Sequence, residues 1–404
     1  MFCLDSSAQA PKDAAKRMRI MLVTDAWDPQ VNGVVRTLKR VIEECEAMGH
    51  EFHLVSPADG FRTFPLPTYS EIRLAVGAKK RIEKRFHEFE PEAVHIATEG
   101  TLGWAMRAIC LKHKFPYSSS YHTRFPEYVN ARFPVPLSWG YSFVRSFHKY
   151  SGKVMVATPS MREELEARRF GNVVSWSRGV DTELFHPSKR REDRGPFKGL
   201  AQPIFLNVGR VAVEKNIEAF AELDLPGSIV VVGDGPQLEE LKKKYPHVHF
   251  LGAKFSEELA ECFANADVFC FPSLTDTFGL VILEAMATGT PVAAFNAPGP
   301  KDIIPGSDAG VISDNLRQAC FDALECSRET TREYAEGYSW RACAEAFITN
   351  LDPLPVPQRK RFWRRIRLRR RHNTPEWLID RRKEEEELDR LEKLEAEKSK
   401  QSGG

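Results

Sequence analysis

The sequence predicts an α/β protein in which two doubly wound parallel-sheet domains face a cleft and a basic C-terminal tail follows. Three observations support this prediction. Short apolar runs alternate with helical runs from residue 18 onward, a pattern typical of βαβ units. The alternation stops at a polar stretch with glycine and proline at residues 181–202, and then begins again. From residue 353 the chain becomes basic and aromatic.

The first series of units opens with the strand RIMLVTD. The helical run VVRTLKRVIEECEAMGH follows and is predicted to end at Gly49, and EFHLVSP is the next strand. The pattern continues through AVHIAT, GWAMRAICLKHK, PYSSSYH and GKVMVATP. We expect residues 18–185 to form one domain, preceded by a flexible extension at residues 1–17.

The second series supplies the strands IFLNVGR, SIVVVGD, VHFLG, VFCFPS and PVAAF, with helices between them. It predicts a second domain at residues 186–352 and a tail at residues 353–404. Ligands of doubly wound sheets bind at the carboxyl ends of the strands, so we expect a site between the two domains. The stretch VGDGPQLEEL lacks the third glycine of a dinucleotide fingerprint, which favours a tight turn with Pro236 at the first helical position.

Composition excludes several classes of protein. The chain has 404 residues, of which 42% are hydrophobic and 28% charged, with a net charge of +2. These values are ordinary for a soluble globular protein and argue against overall nucleic-acid binding. The eight cysteines show no CxxC pair and no ligand-like spacing to histidine, so we expect reduced core cysteines and no metal site. No apolar run is long enough to span a bilayer, and a cytoplasmic location is expected.

Two carboxylates in SLTDTFGLVILEAMATGTPVAAF are candidate ligand-binding groups. Asp276 lies in the loop after a buried strand, and Glu284 lies within an apolar helix predicted from about Phe278 to Gly289. A glutamate is rarely buried in such a run unless it has a partner. The amides at the helix N-terminus favour phosphate, and the carboxylates would bind sugar hydroxyls. The alternative is a capping aspartate and a glutamate on the helix surface.

The stretch NVGRVAVEKN favours the first interpretation. It places Arg210 and Lys215 directly after the first strand of the second domain, at the same edge of the sheet as the two carboxylates. An arginine fork and a lysine ammonium at that edge can neutralise a diphosphate. The combination predicts a nucleotide-sugar site.

Taken together, the motifs resemble those of the family-4 retaining glycosyltransferases, which have the GT-B fold of two Rossmann-like domains. The resemblance covers about residues 18–350. It is carried by VNGVVRTL, YHTRFPEY, SRGVDTELF, GRVAVEKN, VGDGP and TDTFGLVILEAMATGTPV. One departure is that the family has glutamate at both ends of its Glu-x7-Glu motif, whereas this chain has Asp276 at the first position.

The resemblance implies roles for individual residues. The first domain would bind the acceptor and the second the nucleotide-sugar. His122 would lie over the reacting face of the sugar, and Asp276 would contact the donor sugar. Three parts of the chain would hold the donor phosphates and ribose. They are Gly33 in the loop after the first strand, the cations Arg210 and Lys215, and the helix at the Glu-x7-Glu motif with Gly279, Leu280 and Glu284.

The resemblance also implies the reaction. A hexose or uronic acid would pass with retention from a UDP- or GDP-linked sugar to a membrane lipid such as diacylglycerol, without a metal or other cofactor. Two alternatives remain at this point: the same chemistry on a polysaccharide or soluble acceptor, or an NAD-type α/β protein that is not a transferase.

Basic aromatic segments predict a membrane partner. Residues 359–371 contain nine Lys or Arg among thirteen, interleaved with Phe362, Trp363, Ile366 and Leu368. Residues 79–89 and 132–149 add two further basic aromatic stretches. We expect these segments to bind the protein peripherally to the anionic inner face of the cell membrane. An RNA-binding segment or a solvated tail are the alternatives, and no nucleic acid is expected as a partner.

Overall fold

The computed structural model describes residues 17–30, 32–66, 69–132, 135–304 and 309–373. Most of the predicted N-terminal extension and the end of the tail lie outside these ranges. The chain divides after Pro353 into two compact units.

A first sheet of six parallel strands lies within the described part of the first unit. Its helices are α1 (Gly33–Ala47), α2 (Lys79–Phe89), α3 (Thr101–His113), α4 (Phe125–Arg132), α5 (Leu137–His148) and α6 (Pro159–Ala167). Its strands are β1 (Arg19–Val23), β2 (Glu51–Val55), β5 (Ala93–Ile96), β6 (Ser118–Tyr121), β7 (Val154–Val156) and β8 (Val173–Ser175). They are ordered β2-β1-β5-β6-β7-β8, and an antiparallel hairpin is formed by β3 (Arg62–Leu66) and β4 (Tyr69–Val76).

A second parallel sheet, again of six strands among the described residues, follows in the same unit. Its strands are β9 (Ile204–Val208), β10 (Ser228–Val232), β11 (His249–Phe250), β12 (Val268–Phe271), β13 (Val292–Phe295) and β14 (Gly310–Ser313). They are ordered β11-β10-β9-β12-β13-β14. The helices are α7 (Ile217–Ala221), α8 (Leu238–Lys244), α9 (Ser256–Asn265), α10 (Leu280–Ala287), α11 (Pro300–Ile303), α12 (Leu316–Ala323) and α13 (Arg328–Glu336). The predicted pair of doubly wound domains is confirmed.

The central strands of the second sheet are buried on both faces, which explains their continuous apolar sequences. Every residue of β9, β10 and β12 is buried. The one polar exception in β9 is Asn207, whose side-chain amide donates to the carbonyl of Cys270 at 3.0 Å and so ties β9 to β12. A buried amide needs such a partner, and here it fixes the spacing of the two strand ends that face the cleft.

The structure differs from the sequence analysis at the start of α8 and in an additional hairpin. α8 begins at Leu238, and Pro236 lies in the turn before it. The turn is tight because a Cβ on Gly233 would lie 1.8 Å from the carbonyl oxygen of Gly209, and one on Gly235 would lie 2.3 Å from that of Val211. Only glycine permits this approach of neighbouring strand ends. The hairpin β3–β4 is an element that the sequence pattern did not predict.

The last helix of the first unit, α14 (Trp340–Asn350), packs into the core of the first domain. We expected residues 186–352 to form the second domain, so the structure corrects that boundary. The cause is a set of apolar side chains on one face of α14, which complete the core around α1 and β1. Trp176 reinforces this packing by donating its indole N–H to the carbonyl of Cys343 at 3.1 Å.

The second unit contains the helix α15 (Val356–Asn373). Two of the apolar side chains that we expected to contact a membrane, Trp363 and Ile366, are buried, with 4% and 8% exposure. Arg364 and Arg365 are exposed, and the side chain of Leu368 lies outside the described residues. No helix in the described ranges has the length and apolarity needed to cross a membrane.

Phe347 provides a test of the corrected boundary. Its ring lies 5.2 Å from that of Trp176 and 4.9 Å from that of His95, and it is fully buried. Phe347→Ala should lower the free energy of unfolding of the first domain by about 3–5 kcal/mol, the usual cost of a phenylalanine-sized cavity. Urea denaturation measures this, with the exposed Thr349→Ala as the control. Equal stabilities of the two variants would contradict the placement of α14.

Candidate active site

A cavity of about 1310 Å³ lies between the carboxyl ends of the two sheets. Its lining comes from the segments that follow β1, β5 and β6 on one side and β9, β10 and β12 on the other. The structure brings seven of the predicted site residues to this lining: Gly33, His122, Arg210, Lys215, Asp276, Gly279 and Leu280. Glu284 is the predicted residue that does not line the cavity.

Glu284 lies behind the cavity wall and forms an ion pair with Arg36 of α1. The glutamate side chain is 4% exposed and the arginine 42% exposed. Burial raises the pKa of the Glu284 carboxyl, and the charge of Arg36 opposes that increase. The second carboxylate oxygen of Glu284 is buried and has no hydrogen-bond partner among the described residues. Arg36 itself lines the cavity, so it lies between the carboxylate and the open space.

Lys215 and Asp276, which were predicted to bind different parts of a donor, contact each other. The Lys215 ammonium lies 2.6 Å from one Asp276 oxygen, and the other oxygen is buried without a hydrogen-bond partner among the described residues. Lys215 ends a short 3-10 turn after β9, and Arg210 lies just before that turn, 3.6 Å from Glu214. The two cations therefore lie at the edge of the sheet that the sequence predicted.

The N-termini of α1 and α10 meet across the cavity. Gly279 caps α10 with a φ of +91°, and a Cβ there would lie 3.0 Å from Phe271, so glycine is required. Opposite it, a Cβ on Gly33 would lie 3.6 Å from the Leu280 side chain. Asn32 caps α1 by accepting from the amides of the residues at 34 and 35. Two helix N-termini that face one cavity favour an anionic ligand there.

His122 is held as a neutral imidazole. Burial, and then the nearby charge of Arg178, lower its pKa well below the usual value. Its Nδ1 lies 3.3 Å from the Arg178 guanidinium, which can only donate, so Nδ1 accepts and the proton is on Nε2. Nε2 is buried with no hydrogen-bond partner among the described residues. The cavity is thus lined by a neutral histidine that offers one N–H donor.

Arg178 is a site residue that the sequence analysis quoted within SRGVDTELF without assigning it a role. It is buried, its guanidinium lies 4.3 Å from the centre of the Trp176 ring, and it donates to the Trp176 carbonyl. Burial lowers its pKa to about 10, so it stays charged at neutral pH. The sequence held no clear signal for this role, because Arg178 follows β8, a strand that is only partly buried.

A hydrogen bond across the cleft fixes the loop that carries Asp276. The hydroxyl of Thr277 donates to the carbonyl of His122 at 2.7 Å. Since Thr277 belongs to the second domain and His122 to the first, this bond sets the distance between the two predicted halves of the site. The Arg36–Glu284 ion pair makes a second connection between the same domains.

One group of described side chains, Glu83, His87 and His113, could supply three ligands to a metal ion. It lies on α2 and at the end of α3, away from the residues that line the cavity. The Lys112 ammonium and the His113 Nε2 each lie 2.7 Å from the same Glu83 oxygen. This group therefore contributes nothing to the chemistry of the cleft.

Comparison with known proteins identifies the family. The family described as "Glycosyltransferase Family 4" matches residues 31–184, and "Glycosyl transferases group 1" matches residues 202–326. A GDP-mannose-dependent alpha-mannosyltransferase of Corynebacterium glutamicum is 30% identical over 85% of this chain and 91% of its own. The chain belongs to the family 4 glycosyltransferases. The family membership makes it a hexosyltransferase, and it removes the alternative of an NAD-type protein.

Two further comparisons concern a second relative and a solved structure. An alpha-monoglucosyldiacylglycerol synthase of Streptococcus pneumoniae is 24% identical, over 82% of this chain and 83% of that one. The crystal structure of an Anabaena protein in complex with UDP-glucose has a TM-score of 0.62 at 15% identity, over 82% of this chain and 98% of that one. The structural likeness confirms the predicted GT-B fold.

The buried histidines predict how stability depends on pH. Burial lowers the pKa of His95 to about 3 and lowers that of His122 well below its usual value. Below about pH 6.5 the unfolded chain therefore binds protons that the folded chain excludes. The free energy of unfolding should decrease as the pH decreases. Each histidine should contribute up to about 1.4 kcal/mol per pH unit. Urea denaturation between pH 7 and 5 measures the slope. His95→Gln should reduce this slope, and His249→Gln, at an exposed histidine, should not. A free energy of unfolding of the wild type that does not change with pH would contradict the lowered pKa values of the buried histidines.

Arg36→Ala should produce a dependence of the opposite sign. Without its partner, the buried Glu284 carboxylate must ionise unpaired, so its pKa in the folded state rises further and stability is lost as pH increases above about 4.3. At pH 8 we expect a loss of about 1–3 kcal/mol, the cost of an unsatisfied buried group. Adding Glu284→Gln should remove the pH trend, and Arg40→Ala, one turn along α1, should not create it. Identical pH profiles for Arg36→Ala and Arg40→Ala would contradict the ion pair.

Proposed function

We propose that this glycosyltransferase moves a hexose or uronic acid, with retention, from a UDP- or GDP-linked sugar to a membrane lipid such as diacylglycerol. The observation that carries the proposal is the composition of the single cavity described above. Arg210, Lys215 and the N-terminus of α10 lie on one side, and His122, whose Nε2–H has no partner among the described residues, lies on the other. A diphosphate needs the first set and a sugar hydroxyl the second.

The donor diphosphate would be bound by Arg210 and Lys215 together with the amides of Gly279 and Leu280. A phosphate oxygen competes well with Asp276 for the Lys215 ammonium, because a diphosphate carries more charge than one carboxylate. Release from Lys215 would leave Asp276 able to accept from a hydroxyl of the donor sugar. Gly33 faces the same space from α1, where its lack of a side chain leaves room for the phosphates.

The ribose of the nucleotide would bind Glu284, and Arg36 would have to move first. Arg36 is 42% exposed and can turn into the cavity that it already lines. In that position its guanidinium would add positive charge near the diphosphate. The ribose hydroxyls would then replace Arg36 as donors to the buried carboxylate.

The reaction would use one face of the sugar. The bond between the anomeric carbon and the β-phosphate oxygen breaks, and the acceptor oxygen forms its new bond to the same face of that carbon. The acceptor's proton passes to the departing phosphate oxygen, so no protein nucleophile is needed. The cations stabilise the charge on the leaving diphosphate, and His122 orients a sugar hydroxyl through Nε2–H. Its fixed tautomer means that it donates a hydrogen bond without exchanging a proton.

A lipid acceptor is supported by the apolar part of the cavity lining. On the first-domain side Leu74, Trp104, Phe125, Phe143 and Val144 line the space beyond His122. A soluble sugar acceptor needs polar partners that these side chains do not offer. The similarity to an alpha-monoglucosyldiacylglycerol synthase agrees with a lipid acceptor at a membrane.

A thermal-shift panel of UDP, GDP, ADP and their sugars tests the donor, because a ligand that binds only the folded protein raises its melting temperature. The stabilising sugar nucleotide is then incubated with diacylglycerol, and NMR of the anomeric proton shows whether the configuration is retained. Inversion would remove the same-face mechanism. Transfer to a polysaccharide or soluble acceptor, with none to lipid, would show that the acceptor assignment is wrong.

The diphosphate assignment predicts a large effect of two single substitutions. Arg210→Ala or Lys215→Ala should each lower kcat by about a hundredfold or more, the scale of one lost electrostatic contact to a leaving group. Both side chains are partly exposed, so the melting temperature should change little. The exposed Lys243→Ala is the matched control. Wild-type turnover in either variant would remove the assignment.

A further inference from the structure

We propose that an aromatic face on α4 and α5 of the first domain docks the enzyme onto an anionic bilayer, with the acceptor end of the cavity opening at that surface. We define the aromatic face by Phe125, Leu137, Trp139, Phe143 and Tyr150. The proposal rests on the proposed lipid acceptor and adds where the enzyme meets the membrane.

The aromatic face is exposed to an unusual degree. Trp139 is 71% exposed, Tyr150 54% and Phe143 51%, and Phe125 and Leu137 are each at least 39% exposed. Trp139 and Phe143 are one turn apart on α5, so they project from the same side of the helix. The opposite side of α5 is buried in the core through Tyr141, Val144 and Phe147. Large aromatic side chains grouped in this way mark an interaction surface.

The charge around the aromatic face fits an anionic partner. Residues 99–166, which include α3, α4 and α5, contain nine Lys or Arg and five acidic residues. Two of these carboxylates are already engaged, since Glu127 and Glu164 accept from the hydroxyl of Tyr141. The whole chain is nearly balanced, at a net charge of +2, so the excess of positive charge is local. Basic residues beside exposed aromatic ones are typical of a surface that contacts anionic lipid.

The aromatic face is continuous with the acceptor side of the cavity. Phe125 and Phe143 belong to both, being exposed and lining the cavity. The ring of Phe143 lies 5.4 Å from that of Trp104, which also lines the cavity. Arg107 lies 4.9 Å from the centre of the Trp104 ring and 5.4 Å from that of Tyr150. The aromatic face therefore shares Phe125 and Phe143 with the cavity lining, so an acyl chain at the aromatic face would be next to the cavity.

This continuity favours a bilayer over the other anionic partner that such residues could bind. A single-stranded nucleic acid also uses aromatic and basic side chains, but it gains nothing from an apolar path into the cleft. The aromatic face on α4 and α5 offers exposed apolar side chains for insertion beside basic residues for electrostatic attraction.

Flotation with phosphatidylcholine vesicles, with and without phosphatidylglycerol, tests the proposal on the full chain. The wild type should bind the anionic vesicles. Its binding should weaken as salt rises, and the aromatic residues should retain part of the binding at high salt. Trp139→Asp should weaken vesicle binding by at least about tenfold, since it replaces an inserting ring with a charge that anionic lipid repels. Val213→Ser, at an equally exposed apolar side chain in the second domain, is the matched control and should bind as the wild type does.

A second variant separates insertion from electrostatic attraction. Trp139→Phe should keep the binding but lose most of the blue shift of tryptophan fluorescence that vesicles induce, because Trp139 is the reporter at the bilayer. Binding by Trp139→Asp equal to the wild type, or a fluorescence shift unchanged in Trp139→Phe, would overturn the proposal. So would displacement of the protein from vesicles by single-stranded RNA at equal charge concentration.

The outcome is distinguishable from failure of the proposed function. The melting-temperature shift with the sugar nucleotide reports the donor site and should be the same in Trp139→Asp as in the wild type. Sugar-nucleotide stabilisation without any vesicle binding would refute the docking surface alone. Vesicle binding that depends on Trp139, without stabilisation by any sugar nucleotide, would refute the proposed function and leave the docking surface standing.

Discussion

The buried carboxylate of Glu284 constrains how the two domains meet. An ionised carboxylate inside an apolar helix is strongly unfavourable unless a cation and hydrogen-bond donors accompany it. α10 has no cation of its own near this position, and the partner comes from α1 of the other domain. The ion pair therefore holds the N-termini of α1 and α10 opposite each other, and the space between them is where an anion would bind. This one side chain thus constrains the cleft geometry together with the hydrogen bond between Thr277 and His122.

The same logic applies on the other side of the cavity. Arg178 is buried with its charge retained, and it donates to the carbonyls of Trp176 and Ser177 and to Nδ1 of His122. The guanidinium thereby fixes the tautomer of His122, with the proton on Nε2. Because the imidazole is kept neutral by burial, it adds no positive charge that would compete with Arg210 and Lys215 for the diphosphate. In the proposed reaction, the group that orients the sugar would thus be separate from the groups that stabilise the leaving charge.

The sequence predicted the elements and the edge of the sheet where the site lies, because strand-end residues of parallel sheets converge whatever the details of packing. It also predicted that Glu284 needed a partner, from the apolar run around it. It could not identify Arg36, which is 248 positions away and meets the carboxylate only after the domains dock. The placement of α14 failed for the same reason: an amphipathic pattern says that a face is buried, but two cores were available to bury it. Arg178 was overlooked because a motif of loop residues gives no sign of which side chain turns inward.

The cavity joins two chemically different surfaces, and this difference constrains the order of events. The donor side is polar and charged, and its groups are already paired with one another, as Lys215 is with Asp276 and Arg36 with Glu284. A donor can bind there only by replacing these pairs with contacts of equal strength, which a diphosphate and a ribose supply and a lipid does not. On the first-domain side the lining also includes apolar side chains, among them Trp104 and Phe143, which need no exchange of partners. Water is the competing acceptor, and apolar side chains beside the reacting carbon exclude it best once a lipid fills the space between them. Under the proposed function, the same apolar side chains would bind the lipid acceptor and keep water away from the reacting carbon.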